Sequence, residues 1–154
     1  MNLKDLKKQI PYQWRVQSFS KNKAQAQCVA YIDARDVMNL LDEVVGSENW
    51  QSDFKDIGGQ TFAGIGIKAE GELSDWVWKW DTGSESAIEK EKGQASDSLK
   101  RAAVQWGIGR FLYDMPIKYV EANEVKTTSN FPHVVDLNGK RVWDLTEYIN
   151  KITK

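Results

Sequence analysis

The sequence predicts an α+β fold in which an antiparallel β-sheet and a hairpin stem pack on helices, and three observations predict it. Two strand-like stretches flank a short polar turn near the start, apolar residues recur at helical spacing in two places, and three alternating stretches lie between those helices. Strand pair, helix, three antiparallel strands and helix, in that order, make an α+β domain.

Residues 3 to 9 read as a short amphipathic helix stopped at Pro11. Tyr12 to Phe19 and Ala26 to Ile32 flank the polar stretch Ser20-Lys21-Asn22-Lys23 and read as a hairpin. Asp33 caps a helix whose apolar positions Val37, Leu40, Leu41 and Val44 follow i, i+3, i+4, i+7, closing at Gly46. Glu48 to Asp56 leads into a Gly58-Gly59 turn, after which Thr61, Ala63, Ile65, Ile67 and Ala69 share one face. Gly71 and Ser74 turn the chain into Asp75 to Asp81, where Trp76, Trp78 and Trp80 share a face and Val77 and Lys79 share the other. Residues 82 to 92 lack apolar rhythm and read as a connector or a frayed helix start. A helix from roughly Lys92 to Trp106 packs through Ala95, Leu99, Ala102, Ala103 and Trp106. Beyond Pro116 come a strand, a loop, a hairpin around Asn138-Gly139 with a type I′ signal, and a short helix from Thr146. No repeat, low-complexity tract or linker divides the chain, so residues 1–154 are expected to form one domain.

The bulk composition excludes several functions. With seven Trp, five Tyr and five Phe in 154 residues, the chain has a core without staples. A formal net charge of −1 argues against coating duplex DNA by bulk charge, yet permits a local basic groove if acids cluster elsewhere. One cysteine, Cys28, and one histidine, His133, exclude an intrachain disulfide and the usual zinc sites. No apolar run nears the roughly 20 residues that cross a bilayer, and the first eight residues lack a signal-peptide apolar region, so the expected compartment is the cytoplasm.

The features that carry chemistry lie mostly between residues 93 and 116. Lys100 and Arg101 are about 100° apart on their helix and outside its apolar stripe. From spacing alone they are either a solvated face, with Asp97 pairing Arg101 at i, i+4, or a grip on phosphates. Arg110, after the Gly107-Ile108-Gly109 turn, reaches back to the same region. That turn follows a helix, whereas a dinucleotide fingerprint precedes one, so it reads as a C-cap. No Gly-x-x-x-x-Gly-Lys-Ser/Thr occurs, so nucleoside triphosphate hydrolysis is not expected. The Trp76/Trp78/Trp80 stripe is either a base-stacking surface or a core or subunit interface, and three tryptophans on an outer strand favour packing on a helix layer or a neighbouring copy. Arg35 opposes the dipole of its helix, so Asp36, another acid or a bound phosphate is expected to hold it. Asp53-Phe54-Lys55 and Glu124-Val125-Lys126 have the acid-x-lysine form of metal nucleases, but such triplets arise by chance in a chain with 28% charged residues. No catalytic residue, metal or cofactor is expected.

Four words in the chain also resemble a known family: Tyr31 to Val37, Leu41 to Trp50, Lys92 to Ala102, and Trp106 to Tyr113. Together they resemble the Rad-type single-strand annealing superfamily, in the branch of bacterial DNA damage response protein A and its phage annealase relatives. The likeness covers residues 12–118. It implies monomers assembled into rings or arcs, with single-stranded DNA held by its phosphates in an outer basic groove, inside a bacterial or phage-infected cell. It further implies annealing without nucleotide hydrolysis, in recombination and repair, with DNA-end protection or, last, a metal-dependent nuclease as alternatives. Lys100 and Arg101 fall on the doublet that lines the groove in relatives, and Arg35 falls near an arginine of the preceding helix. Two positions depart from eukaryotic relatives: Val104 stands where they carry a further basic residue, and Asp36 where their early arginine aligns. The expected DNA-binding set is therefore Arg35, Lys68, Lys79, Lys92, Lys100, Arg101 and Arg110, with Trp76, Trp78 and Trp80 at the oligomer interface.

Overall fold

A computed structural model describes residues 2–68, 75–83, 90–123 and 132–153, with backbone alone for 90–95. In chain order the elements are a 3-10 helix Leu3–Lys7, β1 Gln13–Phe19, β2 Gln25–Tyr31, α1 Ala34–Val45, β3 Trp50–Ile57, β4 Gln60–Lys68, β5 Trp76–Thr82, α2 Lys90–Gln105, a 3-10 turn Arg110–Asp114, β6 Lys118–Asn123, β7 His133–Val134 and α3 Leu145–Ile152. The α+β class is as the sequence predicts. The Gly71 and Ser74 turn, most of the 82–92 connector, the side chains of Lys92 and Ala95, and the Glu124-Val125-Lys126 triplet lie outside the described residues. The chain divides into two compact units, residues 1–10 with 32–113, and residues 11–31 with 114–154.

The first unit is the antiparallel sheet β3-β4-β5 with α1 and α2. Gly58 and Gly59 both have positive φ, 59° and 83°, as a two-residue hairpin turn between β3 and β4 demands. Ala63, Ile65 and Ile67 of β4 are buried on one face, and α2 lies against β4 and β5 through Leu99, Ala102 and Ala103. A capping box starts α1: the Asp33 carboxylate accepts from Asp36 N–H at 3.0 Å, and the Asp36 carboxylate from Asp33 N–H at 2.9 Å. The buried stripe of α1 is Val37, Leu40, Leu41 and Val45. Val45 replaces the expected Val44, because i+8 also faces the core and the neighbours fill that side. The segment expected as an amphipathic helix is a single 3-10 stretch that buries Leu6, since five residues hold too few α-helical bonds to repay nucleation.

The second unit is the sheet β1-β2-β6-β7 with α3. Its core comprises Trp14, Ala26, Cys28, Val120, Val134 and Ile149. Trp14 is fastened twice to α3, from its backbone N–H to Thr146 Oγ1 at 2.9 Å and from its indole to Asn150 Oδ1 at 3.2 Å. Burial pushes the Cys28 thiol up to about 11, so it is a packed apolar group and a poor nucleophile. The Asn138-Gly139 turn differs from the expected type I′: Gly139 has φ +81°, but Asn138 does not enter the left-handed region. Asp136 explains this, since its Oδ1 accepts from the N–H groups of both Asn138 and Lys140 at 2.9 Å and sets a wider loop. Residues 118–123 and 132–152 thus complete the unit that the first hairpin begins.

Candidate nucleic-acid interface

What places Lys100 and Arg101 is the fastening of α2 to the sheet below it. Ser98 is fully buried; its hydroxyl accepts from Gly83 N–H at 2.8 Å and donates to Thr61 O at 2.9 Å. About two turns further on, Gln105 Nε2 donates to Trp80 O at 2.6 Å and to Asp81 Oδ2 at 3.2 Å. The Trp106 indole donates to Ile65 O at 2.9 Å. These bonds fix the rotation of the helix, and at 100° per residue Lys100 and Arg101 then lie off the buried side. Sequence reading missed Ser98 and Gln105. The signal was a small polar residue, Ser98, beside the apolar stripe, where a solvated position would carry a longer side chain.

Ser98→Ala leaves the buried Gly83 N–H without that partner, while Thr61 O keeps the Thr82 hydroxyl. We expect a loss of about 1–3 kcal/mol, and thermal unfolding should read it as a drop of several degrees in Tm. An unchanged Tm would mean that the hydroxyl does not hold α2.

The predicted cations separate into groups. Lys100 is half-buried and makes no ion pair among the described residues. Arg101 is exposed and its Nε lies 3.3 Å from Asp97 Oδ2, the i, i+4 pair that the spacing allows, contributing a few tenths of a kcal/mol. Arg110 does reach back: Nε donates to Val104 O at 2.8 Å and a terminal nitrogen to Gln105 O at 3.0 Å. Its guanidinium therefore caps orphan carbonyls at the end of α2 and brings a cation to the turn where Val104 stands. A Cβ at Gly109 would lie 3.1 Å from Ile32 Cδ1, so the turn after α2 adjoins the chain entering α1. Arg35 is exposed in the first turn of that helix. Asp36, one of its expected holders, is instead engaged in the capping box.

Two lysines lie elsewhere. Lys79 points under α2, where Nζ donates to Gln105 O at 3.2 Å and stands 4.6 Å from the centre of the Trp106 ring. It braces the helix and is half-buried there. Lys68 lies at the end of β4, opposite Trp76 and on the tryptophan face.

That face is turned away from α2. Trp80 lies over Gly64 and Trp78 over Gly66, so closely that a Cβ at either glycine would stand 2.6 Å from the ring. The two rings stack with centroids 5.5 Å apart, and Lys55 Nζ lies 4.3 Å from the Trp80 ring centre. Of the two packings expected for the stripe, the helix layer of this unit covers the opposite face instead.

The first unit is thus a helix locked to a three-stranded sheet, with a basic doublet on it and an arginine capping its end. A model of the Rad52/22 family of double-strand break repair proteins matches residues 2–131, and the chain belongs to that family. It is 35% identical over 136 residues to a single-stranded DNA-binding protein DdrA of Deinococcus deserti, covering 82% of this chain and 65% of the relative. It is 31% identical over 136 residues to a protein of the same name from Deinococcus radiodurans, covering 82% and 63%. The chain thus spans a little under two thirds of the length of the curated relatives it matches. No solved structure gives a significant match. Among the described residues, no helix is long and apolar enough to cross a membrane.

Proposed function

We propose that this protein binds single-stranded DNA and anneals complementary strands without nucleotide hydrolysis, in recombination and repair. The observation that carries the reading is the doublet Lys100-Arg101 on a helix whose rotation is fixed by Ser98, Gln105 and Trp106. Family membership and the name borne by the Deinococcus relatives support it. Lys100 and Arg101 take the phosphates, and Arg35 and Arg110 extend the basic strip at the adjoining helix ends. Binding through phosphates leaves base edges available to pair. The protein acts without catalysing bond cleavage, and its setting is the interior of a bacterial or phage-infected cell. It works as a homo-oligomer, a ring or an arc, whose copies meet through the face of Trp76, Trp78 and Trp80.

The direct test is annealing of complementary labelled oligonucleotides with no ATP present. Strand pairing well above the spontaneous rate is expected, and protein that binds but does not accelerate pairing would favour end protection. Added magnesium should leave a labelled strand at full length; shortening would restore the nuclease alternative.

Base order is expected to matter little, because phosphate contacts carry no sequence information. In competition binding, poly-pyrimidine and mixed-sequence strands should differ by less than about tenfold, and duplex of equal length should compete less well. A preference above roughly a hundredfold, nearly 3 kcal/mol, would reveal direct base readout.

A further inference from the structure

The outer face of the second unit's sheet carries aromatic and guanidinium groups that the α2 doublet does not account for. Alternation identifies them. Trp14, Ala26, Cys28, Val120, Val134 and Val142 point into the core, so their neighbours along each strand point the other way. Those neighbours include Arg15 on β1, Gln27 and Tyr31 on β2, Tyr119 on β6, and Arg141 and Trp143 on the segment beside β7. That segment extends the sheet, since Val142 N–H donates to Val134 O at 2.9 Å and Val135 bridges Arg141. α3 packs on the opposite side through Trp14.

Two guanidinium–aromatic stacks lie toward the two ends of this face. Arg15 Cζ is 5.8 Å from the centre of the Tyr31 ring, and Arg141 Cζ is 3.9 Å from the centre of Trp143. Tyr119 lies between them, 63% exposed, and Trp143 is 79% exposed. Amides and one exposed carboxylate, Glu121, occupy the intervening surface: Gln27 Nε2 donates to Gln17 Oε1 at 3.1 Å, and Tyr31 Oη donates to Gln13 Oε1 at 2.6 Å. His133 Nδ1 and Arg141 Nε, buried without hydrogen-bond partners among the described residues, lie in the outermost rows.

Tyr, Trp and Arg also serve protein interfaces, so the single-strand reading of the chain decides between the two occupants of a face of flat rings, guanidinium planes and amides. Rings and guanidinium planes stack on the faces of bases and leave their edges free to pair; an antiparallel sheet with helix behind and aromatics in front is a known form of single-strand platform. We propose that this face is a second contact surface for single-stranded nucleic acid, one that takes unpaired bases, while α2 takes phosphates. The proposal rests on the single-strand reading for its ligand and adds where the bases go. Arg141 and Trp143 lie beyond residue 131, where the family match ends.

The experiment measures anisotropy of labelled oligothymidylate with the parent, with Y119A/W143A and with K100A/R101A across a range of salt. Y119A/W143A is expected to weaken binding about ten- to a hundredfold at every salt concentration without changing the log–log slope, because lost stacking releases no counterions. Parent-like affinity in Y119A/W143A beside weakened K100A/R101A overturns the platform and leaves the α2 reading standing. A parent that binds no oligothymidylate overturns both. Y119A/W143A that keeps its affinity but loses assembly on sizing assigns the face to a second copy of the chain and overturns the proposal. Photocrosslinking of iodouridine-substituted oligonucleotide to the parent protein gives a readout independent of variant folding. Adducts on the peptides of Tyr119 or Trp143 are expected, and adducts confined to residues 34–112 overturn it.

Discussion

Replacing Lys100 and Arg101 together by alanine is expected to weaken single-strand binding about ten- to a hundredfold at low salt, equivalent to roughly 1.4–2.8 kcal/mol. The same variant should flatten the salt dependence. Each phosphate neutralised on a single strand contributes roughly −0.7 to the log–log slope, so two lost contacts reduce its magnitude by about 1.4. Annealing should fall with affinity. The fold should not, because alanine is a good helix former and the Asp97–Arg101 pair is worth only a few tenths of a kcal/mol at this exposure. Ser98, Gln105 and Trp106, which hold α2 in place, are untouched. A variant with parental slope and affinity would take α2 out of the DNA contact altogether.

Stripping the tryptophan face is expected to dissolve the assembly. The parent should scatter light as a particle of many times 17.6 kDa at micromolar concentration, and W78A/W80A should scatter as a single chain. The indoles lie flat on Gly64 and Gly66 and have no room to sink further, so their outer surfaces are covered only by something beyond this unit's helices. An aromatic side chain carries about 150–250 Å², of which this chain buries part. Returning the rest to water from two rings costs on the order of 4 kcal/mol per interface at ~25 cal/mol per Å², about a thousandfold in affinity. Because removing the rings also bares the glycine strand, W76E serves as a second variant: Trp76 lies at the start of β5 and covers neither Gly64 nor Gly66. A parent that is monomeric and still anneals DNA would end the ring model, and assembly that survives both variants would move the interface elsewhere.

Local signals were legible because they act over a few residues. The Asp33 cap, the Gly58-Gly59 turn, the alternation of β4 and β5 and the buried Leu99, Ala102 and Ala103 of α2 each reflect backbone periodicity or a single turn, and each is present. The Asp97–Arg101 pair was legible for the same reason. Long-range choices were not. Lys79 read as a candidate for a basic surface, while the side of the sheet that faces α2 is decided by packing, and Lys79 lies on it. Arg110 read as reaching back toward the doublet, while the carbonyls it caps belong to a helix end whose geometry no spacing reveals.

By itself the sequence determined the α+β class, the order of the elements, the family words and the basic doublet, because propensity, period and side-chain chemistry are properties of the residues. Only the tertiary structure decided which face of each element is covered. It turned the tryptophans away from α2 and gave Ser98 the task of locking that helix. It also joined residues 11–31 to 114–154 in one unit, so that β6 pairs with β2 and α3 fastens Trp14. The physical reason is that burial is a relation between distant segments: a period says that one face is apolar, and only a partner across space says what will cover it.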